Sequence, residues 1–263
     1  MGKVVISMRN FGPISAAFLF SMTASAHSAD LLGDSGLPAV STVNGKFGLS
    51  GGYLNNDGRY HGEGSISFPL SQDFGFQVDA AAGGTDHGFI GGIGGHLFMR
   101  DPSSHLFGVF GSYSGINKID IGRIGGEAHF YLDQVSFEGL VGYEDADITG
   151  NKVFGVADVA FYPSDNLRLK AGYHFFQDRS FGAFGLEYQT GMFSGMVQGP
   201  VSFFAKARFG EKSDDSIWAG FKIYFGAPDK SLIARHREDD PANTLLELLT
   251  DVKETTPAAP QPD

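Results

Sequence analysis

Between Gly45 and Phe225 the chain alternates apolar with polar or small residues at period two, the pattern of strands whose two faces meet different surroundings. In Ser216–Phe225, Ile217, Ala219, Phe221, Ile223 and Phe225 share one face; Trp218, Gly220, Lys222 and Tyr224 share the other. Val201–Phe209 sets Val201, Phe203, Ala205, Ala207 and Phe209 against Ser202, Phe204, Lys206 and Arg208. Leu167–Phe175 and Ile124–Leu132 repeat the pattern. Further runs are Lys46–Leu54, Tyr60–Leu70, Phe74–Ala82, Phe89–Met99, Leu106–Tyr113, Val135–Tyr143, Val153–Tyr162 and Phe181–Tyr188. Together they predict about twelve strands of roughly ten residues, the length that a tilted strand needs to cross a bilayer. An even count returns both ends of the segment to one side.

The connections are short. Asn55-Asn56-Asp57-Gly58, Ser71-Gln72-Asp73, Asp101-Pro102-Ser103-Ser104, Asp133-Gln134 and Pro163-Ser164-Asp165-Asn166 carry turn chemistry. Gln189 to Pro200 is the exception, either a longer turn or an extension of the next strand. No segment between strands is long enough for a crossover helix, which excludes a parallel α/β sheet.

The first residues read as processing instead of fold. Lys3 and Arg9 precede the apolar stretch Phe11–Met22, and Ala24, Ala26 and Ala29 offer small-residue cleavage positions. That order is a secretory signal peptide over residues 1–29, followed by a lead over 30–44. The absence of cysteine excludes a disulfide scaffold and a thiol nucleophile, and suits passage through an oxidising compartment. A formal charge of −11 excludes nucleic acid as a partner, since phosphates demand a basic face. The 38 glycines and 25 phenylalanines point to strands that bend sharply and project rings into an apolar phase.

A soluble sandwich also alternates, so the choice rests on what the second face carries. Glu127, Glu138, Asp158, Arg168, Lys170, Lys206, Arg208 and Lys222 place formal charges in mid-strand there, while the first face stays apolar from strand to strand. A membrane barrel has this inverted arrangement, with lipid outside and water or paired charge inside. Phe221-Lys222-Ile223-Tyr224-Phe225 resembles the closing strand of bacterial outer-membrane β-barrels of porin-like type, and Phe161 to Leu169 resembles their tight periplasmic turns. The resemblance implies an all-β fold, a closed antiparallel barrel over residues 45–226. It also implies an outer-membrane location in contact with lipid, with barrel-assembly machinery reading Phe221, Ile223 and Phe225. Such proteins usually stop at the final Phe, whereas this chain continues.

Residues 227–263 are different material. Arg235-His236-Arg237-Glu238-Asp239-Asp240 reads as a solvated charge run. Leu245, Leu246, Leu248, Leu249 and Val252 then form an apolar stripe that predicts a helix near 241–253, and Thr255–Pro260 opens a Pro-rich end. The expectation is a periplasmic tail, with the helix on the barrel's rim or docking a periplasmic partner.

No motif implies catalysis, a cofactor or a bound metal. Gly48-Leu49-Ser50-Gly51-Gly52 matches a nucleophile elbow in spelling but lies in a strand that feeds no helix. Asp145 to Gly150 begins like a calcium loop but has Val156 where the closing Glu belongs. His96, His129 and His174 read as hydrogen-bonding lumen residues. The expected function is a small porin-like channel or a structural envelope protein. The alternatives are a lipid-modifying barrel enzyme, which needs a Ser–His pair assembled from different strands, and a secreted soluble β protein. Six acids (Glu63, Asp79, Glu127, Glu138, Asp158, Glu187) and six bases (Arg123, Arg168, Lys170, Lys206, Arg208, Lys222) share the inward face, with bulky Phe176, Trp218 and Tyr224 narrowing it. Charges of both signs in a narrow lumen are expected to pair across strands.

Overall fold

The computed structural model describes residues 36–55, 57–85, 88–116, 119–147, 150–193, 199–210, 215–227, 229–241, 245 and 248. The expected signal peptide and the Pro-rich end lie outside these residues. Twelve antiparallel strands form a closed barrel: β1 (Asn44–Leu54), β2 (Asp57–Pro69), β3 (Phe74–Thr85), β4 (Gly88–Asp101), β5 (His105–Ile116), β6 (Ile119–Leu132), β7 (Val135–Ala146), β8 (Gly150–Ser164), β9 (Leu167–Phe176), β10 (Arg179–Thr190), β11 (Val201–Gly210) and β12 (Ser216–Phe225). Every strand pairs with its sequence neighbours, and β1 closes on β12 from Gly45↔Phe225 to Leu54↔Ser216. Gln189–Pro200 resolves as the end of β10 followed by a connection, since β11 starts only at Val201.

β1 begins and β12 ends at one end of the barrel, called here the terminus end. The opposite, far end holds the turns that follow the odd-numbered strands. Several strands run further toward the far end than alternation predicts; β5 reaches Ile116 and β6 starts at Ile119. Glycine and charge blur the two faces there, but closure pairs the backbone whatever the side chains. The β9–β10 turn is a two-residue hairpin in which Gln177 and Asp178 both have positive φ, 49° and 59°, as a tight turn matched to strand twist requires.

The outward face is a graded apolar belt. Ile93, Val109, Ile124, Val141 and Val159 occupy its middle and are exposed. Toward the far end it is ringed by Tyr53, Tyr60, Phe89, Tyr113, Tyr143 and Tyr173; toward the terminus end by Phe47, Phe74, Phe107, Phe130, Phe137, Phe161, Tyr188 and Phe225. Aliphatic middle and aromatic borders match a hydrocarbon layer between two polar interfaces. No water-facing surface sustains so continuous an apolar band.

Past β12 the structure departs from the sequence expectation. Arg235–Asp240 is not a solvated run. A helix, α1 (Leu232–Glu238), begins at Ser231, whose hydroxyl caps the Ala234 amide. Leu232, Arg235, Asp239 and Asp240 are buried. Most of the helix expected near 241–253 lies outside the described residues, but Leu245 and Leu248 are helical and fully buried. Charge read as solvated is satisfied here by a polar barrel interior, which sequence periodicity does not reveal.

The register assigns Ala205 to lipid and Lys206 to the interior. An arginine at a midplane lipid-facing position costs about 2–4 kcal/mol. Ala205→Arg is therefore expected to lose about that much stability when unfolded by denaturant in lipid vesicles; unchanged stability would put this face inside.

Candidate functional site

The site is the lumen, and the chain fills it. Across the terminus-end mouth lie the lead and α1. Val40 packs with Phe98, Leu106 and Tyr131, and the Arg100 guanidinium donates to the Ala39 carbonyl. Gly75 leaves the space that Val40 occupies, since a Cβ there would come within 2.5 Å of it. From α1, Arg235 donates to Gln189 Oε1 at 2.9 Å and to the Ala227 carbonyl at 2.6 Å, with its guanidinium over the Tyr224 ring. Arg237 donates to the Val135 carbonyl at 3.0 Å and lies over Tyr131. The next residues enter the barrel: Asp239 bonds Lys230 and Ser41, and Asp240 pairs with the Lys46 ammonium.

Below this mouth the inward charges are paired. Arg168 reaches both oxygens of Glu138 at 2.6 Å. Asp158 sits between Lys170 at 2.7 Å and His174 at 2.9 Å. Glu187 accepts from Lys222 at 2.8 Å and from Tyr224 and Ser202 at 2.6 Å. His96 bridges Asp79 and Glu127, each at 2.9 Å, and Arg123 meets Glu144 at 3.0 Å. Lys206 is half-buried with its ammonium 5.6 Å from the Phe204 ring, and Arg208 is buried on the inward face of β11. All eight charged residues singled out from the sequence therefore lie on the lumen face. Phe221, Ile223 and Phe225 lie on the opposite, outward face of the strand that closes the barrel.

Sequence reasoning missed Lys46, Arg100 and Glu144, which continue the inward parity near strand ends. It also missed the tail's contribution of Arg235, Arg237, Asp239 and Asp240. The capping serine Ser231 was the available signal for α1.

Two glycines make room for buried carboxylates. Gly172 lies opposite Asp158 in the β8–β9 ladder, and a Cβ on it would stand 1.8 Å from Asp158 Oδ1. Gly108 is opposite Glu127, and its Cβ would stand 2.6 Å from Glu127 Oε1. Part of the glycine excess thus gives inward acids the width to reach their partners.

Toward the far end apolar clusters sit beside the buried Arg123–Glu144 pair. Leu245 shares a cluster with Ala81, Ile90, Ile121 and Ala146. Leu248 joins another with Phe110, Leu140, Phe154, Val156, Phe176 and Phe181. A polar cavity of about 40 Å³ remains beneath α1, lined by Lys46, Glu63, Glu138, Arg168, Lys222 and His236 among others. That volume holds a few waters.

A closed barrel with a lipid-facing belt and a charged interior defines the class: the fold is that of outer-membrane, porin-like β-barrels. The KdgM porin superposes with a TM-score of 0.52 at 8% identity, over 69% of this chain and 99% of that chain. A structure of KdgM porin in complex with disordered oligogalacturonate gives 0.50 at 8% identity, over 69% and 99%. The NanC porin gives 0.48 at 9% identity, over 67% and 98%. These are likenesses of fold. No protein-family model matches the chain, and no curated protein sequence matches it.

Two expected outcomes follow. Gly172→Ala should displace Asp158 from Lys170 and His174 and cost roughly 1–3 kcal/mol, whereas Gly182→Ala, where the nearest atom would stand 4.0 Å away, should be close to neutral. Denaturant unfolding of both variants in vesicles reads the difference. The second concerns His236, which lies 2.9 Å from the Tyr162 hydroxyl and faces Arg168, Lys222, Glu187 and Asp240. Burial, reinforced by Arg168, lowers its pKa to about 3 from the ordinary 6.5. Docked α1 therefore leaves His236 neutral where a solvated His236 would protonate. Docking is at full strength above pH 6.5 and weakens as pH falls from 6.5 toward 3, by up to about 1.4 kcal/mol per unit. Hydrogen-exchange protection of Leu232–Glu238 should fall between pH 7 and pH 4 (relative to intrinsic rates), and His236→Gln should flatten that dependence.

Proposed function

We propose that the protein is an outer-membrane channel of porin-like type that is held closed by its own C-terminal segment. The observation that carries the reading is the nature of the plug's seat. At the terminus end it is made of hydrogen bonds and ion pairs, Lys46–Asp240, Arg235–Gln189 and Arg237–Val135, which water can replace at small net cost. An interior built only as a structural staple gains more from apolar packing throughout, because buried ion pairs contribute little net stability. Both chain ends of the barrel belong to the periplasmic side in this reading, so α1 covers the periplasmic mouth, and β12 with its terminal Phe225 is the segment that assembly machinery engages.

A lipid-modifying enzyme has weaker support. The histidine–hydroxyl contacts among the described residues are Ser104–His105 at a turn and Tyr162–His236 beneath α1. Neither joins a serine to a histidine across two inward strand faces. A separate docking role for the tail in the periplasm also has weaker support, because Leu245 and Leu248 already have partners inside the barrel.

Planar-bilayer recordings test the channel. The full chain should give low, weakly ion-selective conductance, because charges of both signs pair along the path. Lys46→Gln combined with Asp240→Asn should raise the open fraction, and a chain ending at Ala227 should give larger, steady openings once its heat-shifted gel mobility shows that the barrel has formed. Equal conductance from all three would show that the tail does not close the path.

A further inference from the structure

Trp218, the third residue of β12, projects inward in the cross-strand row Lys206–Trp218–Gly52. Its indole leans over Gly52, where a Cβ would stand 2.8 Å from Cε3, so the glycine lets the ring turn toward β1. His61 of β2 packs beside it, with the two ring centroids 4.6 Å apart. Trp218 is only 5% exposed, yet its Nε1 has no hydrogen-bond partner among the described residues. An indole N–H only donates, and burying it unpaired costs about 1–3 kcal/mol. Such an atom in a native interior points to an acceptor that the polypeptide does not supply.

The indole lines a cavity of about 20 Å³ in the lumen wall, together with Ser50, Lys170, His174, Lys206 and Arg208. That is room for one water-sized species. Indole, ammonium and guanidinium groups donate and do not accept; the serine hydroxyl does both. No carboxylate is among the described residues that line the cavity, and Lys170 reaches Asp158 at 2.7 Å. His174 meets Asp158 through Nε2, and its Nδ1, without a hydrogen-bond partner, takes either role according to its proton. The strand carbonyls nearby already accept in the β10–β11, β11–β12 and β12–β1 ladders. A water placed here must donate two hydrogens, and the lining offers few acceptors. A monatomic anion only accepts, and the surrounding positive charge offsets the cost of its desolvation. A carboxylate or a phosphate exceeds the volume.

We propose that this cavity is a binding site for a halide-sized monovalent anion, held by Trp218 Nε1–H, the Ser50 hydroxyl and the Lys206 and Arg208 side chains. The site is built by five adjacent strands, β9 to β12 and β1, and does not depend on whether the barrel conducts or on what closes it.

Trp218 is the chain's single tryptophan, so its fluorescence reports this site alone. The full chain is refolded into vesicles in sodium gluconate, with bromide replacing gluconate stepwise at constant ionic strength. Refolding in each salt lets the ion reach a buried position. Bromide quenches indole emission on contact, and chloride does so far less. The expected result is quenching that saturates and that chloride reverses by displacement. Lys206→Gln should weaken bromide binding by about tenfold, the loss of one charge-assisted contact, and Ser50→Ala by a smaller factor. Both are read on protein whose heat-shifted gel mobility shows a formed barrel. Lys152→Gln, which removes an ion pair with Asp178 at the far rim, should bind as the wild type does. Absent quenching, or quenching that rises linearly with bromide and ignores chloride, would leave at most water in the cavity and overturn the proposal. So would a saturating curve that Lys206→Gln and Ser50→Ala both leave unchanged, since the ion would then sit elsewhere.

Discussion

The ladder between β1 and β12 is the constraint on which everything else depends. Its register from Gly45↔Phe225 to Leu54↔Ser216 leaves no strand edge unpaired, and in hydrocarbon an unpaired edge is intolerable. Closure also creates two environments from one alternating sequence. Alternate residues along each strand meet lipid and the interior, so a slip of one residue in β11 would put Lys206 and Arg208 into lipid together. The cost of that error holds the whole sheet in register.

The interior then has its own problem. Among the described residues, acids (Glu63, Asp79, Glu127, Glu138, Glu144, Asp158 and Glu187) and bases (Lys46, Arg59, Arg100, Arg123, Arg168, Lys170, Lys206, Arg208 and Lys222) project inward from the strands. An isolated charge in a narrow, low-dielectric tube costs several kcal/mol, so each must find a partner. The wall supplies many of them, and the tail supplies others through Asp239 and Asp240. The same segment brings Leu245 and Leu248 against apolar wall residues, among them Phe110, Phe154, Phe176 and Phe181, beside the buried Arg123–Glu144 pair.

How much of this was legible in the sequence follows from what each feature depends on. Strands and their lipid-facing sides were legible because alternation is local: Ile217, Ala219 and Phe221 declare their face within five residues. The inward charges were legible for the same reason. Their partners were not, because pairing depends on register between strands. Asp158 meets Lys170 and His174 because Gly172 stands opposite it, and nothing within either strand states that alignment. The tail was the least legible part. Arg235-His236-Arg237-Glu238-Asp239-Asp240 has the composition of a segment in water, and a polar lumen offers it nearly the same terms. Periodicity reports the polarity of surroundings and does not separate bulk solvent from a charged tube.

The link between β12 and α1 is only Gly226 to Ser231. A plug on so short a tether never leaves the neighbourhood of its seat, and its local concentration is of the order of millimolar or above. Contacts too weak to hold a free peptide suffice to keep this one bound. In the proposed closed channel, release and return of the segment would be a first-order equilibrium, independent of how much protein the membrane contains. On that proposal the occupancy of the lumen is a property of the single molecule, set by tether length and by the conditions at the mouth it covers.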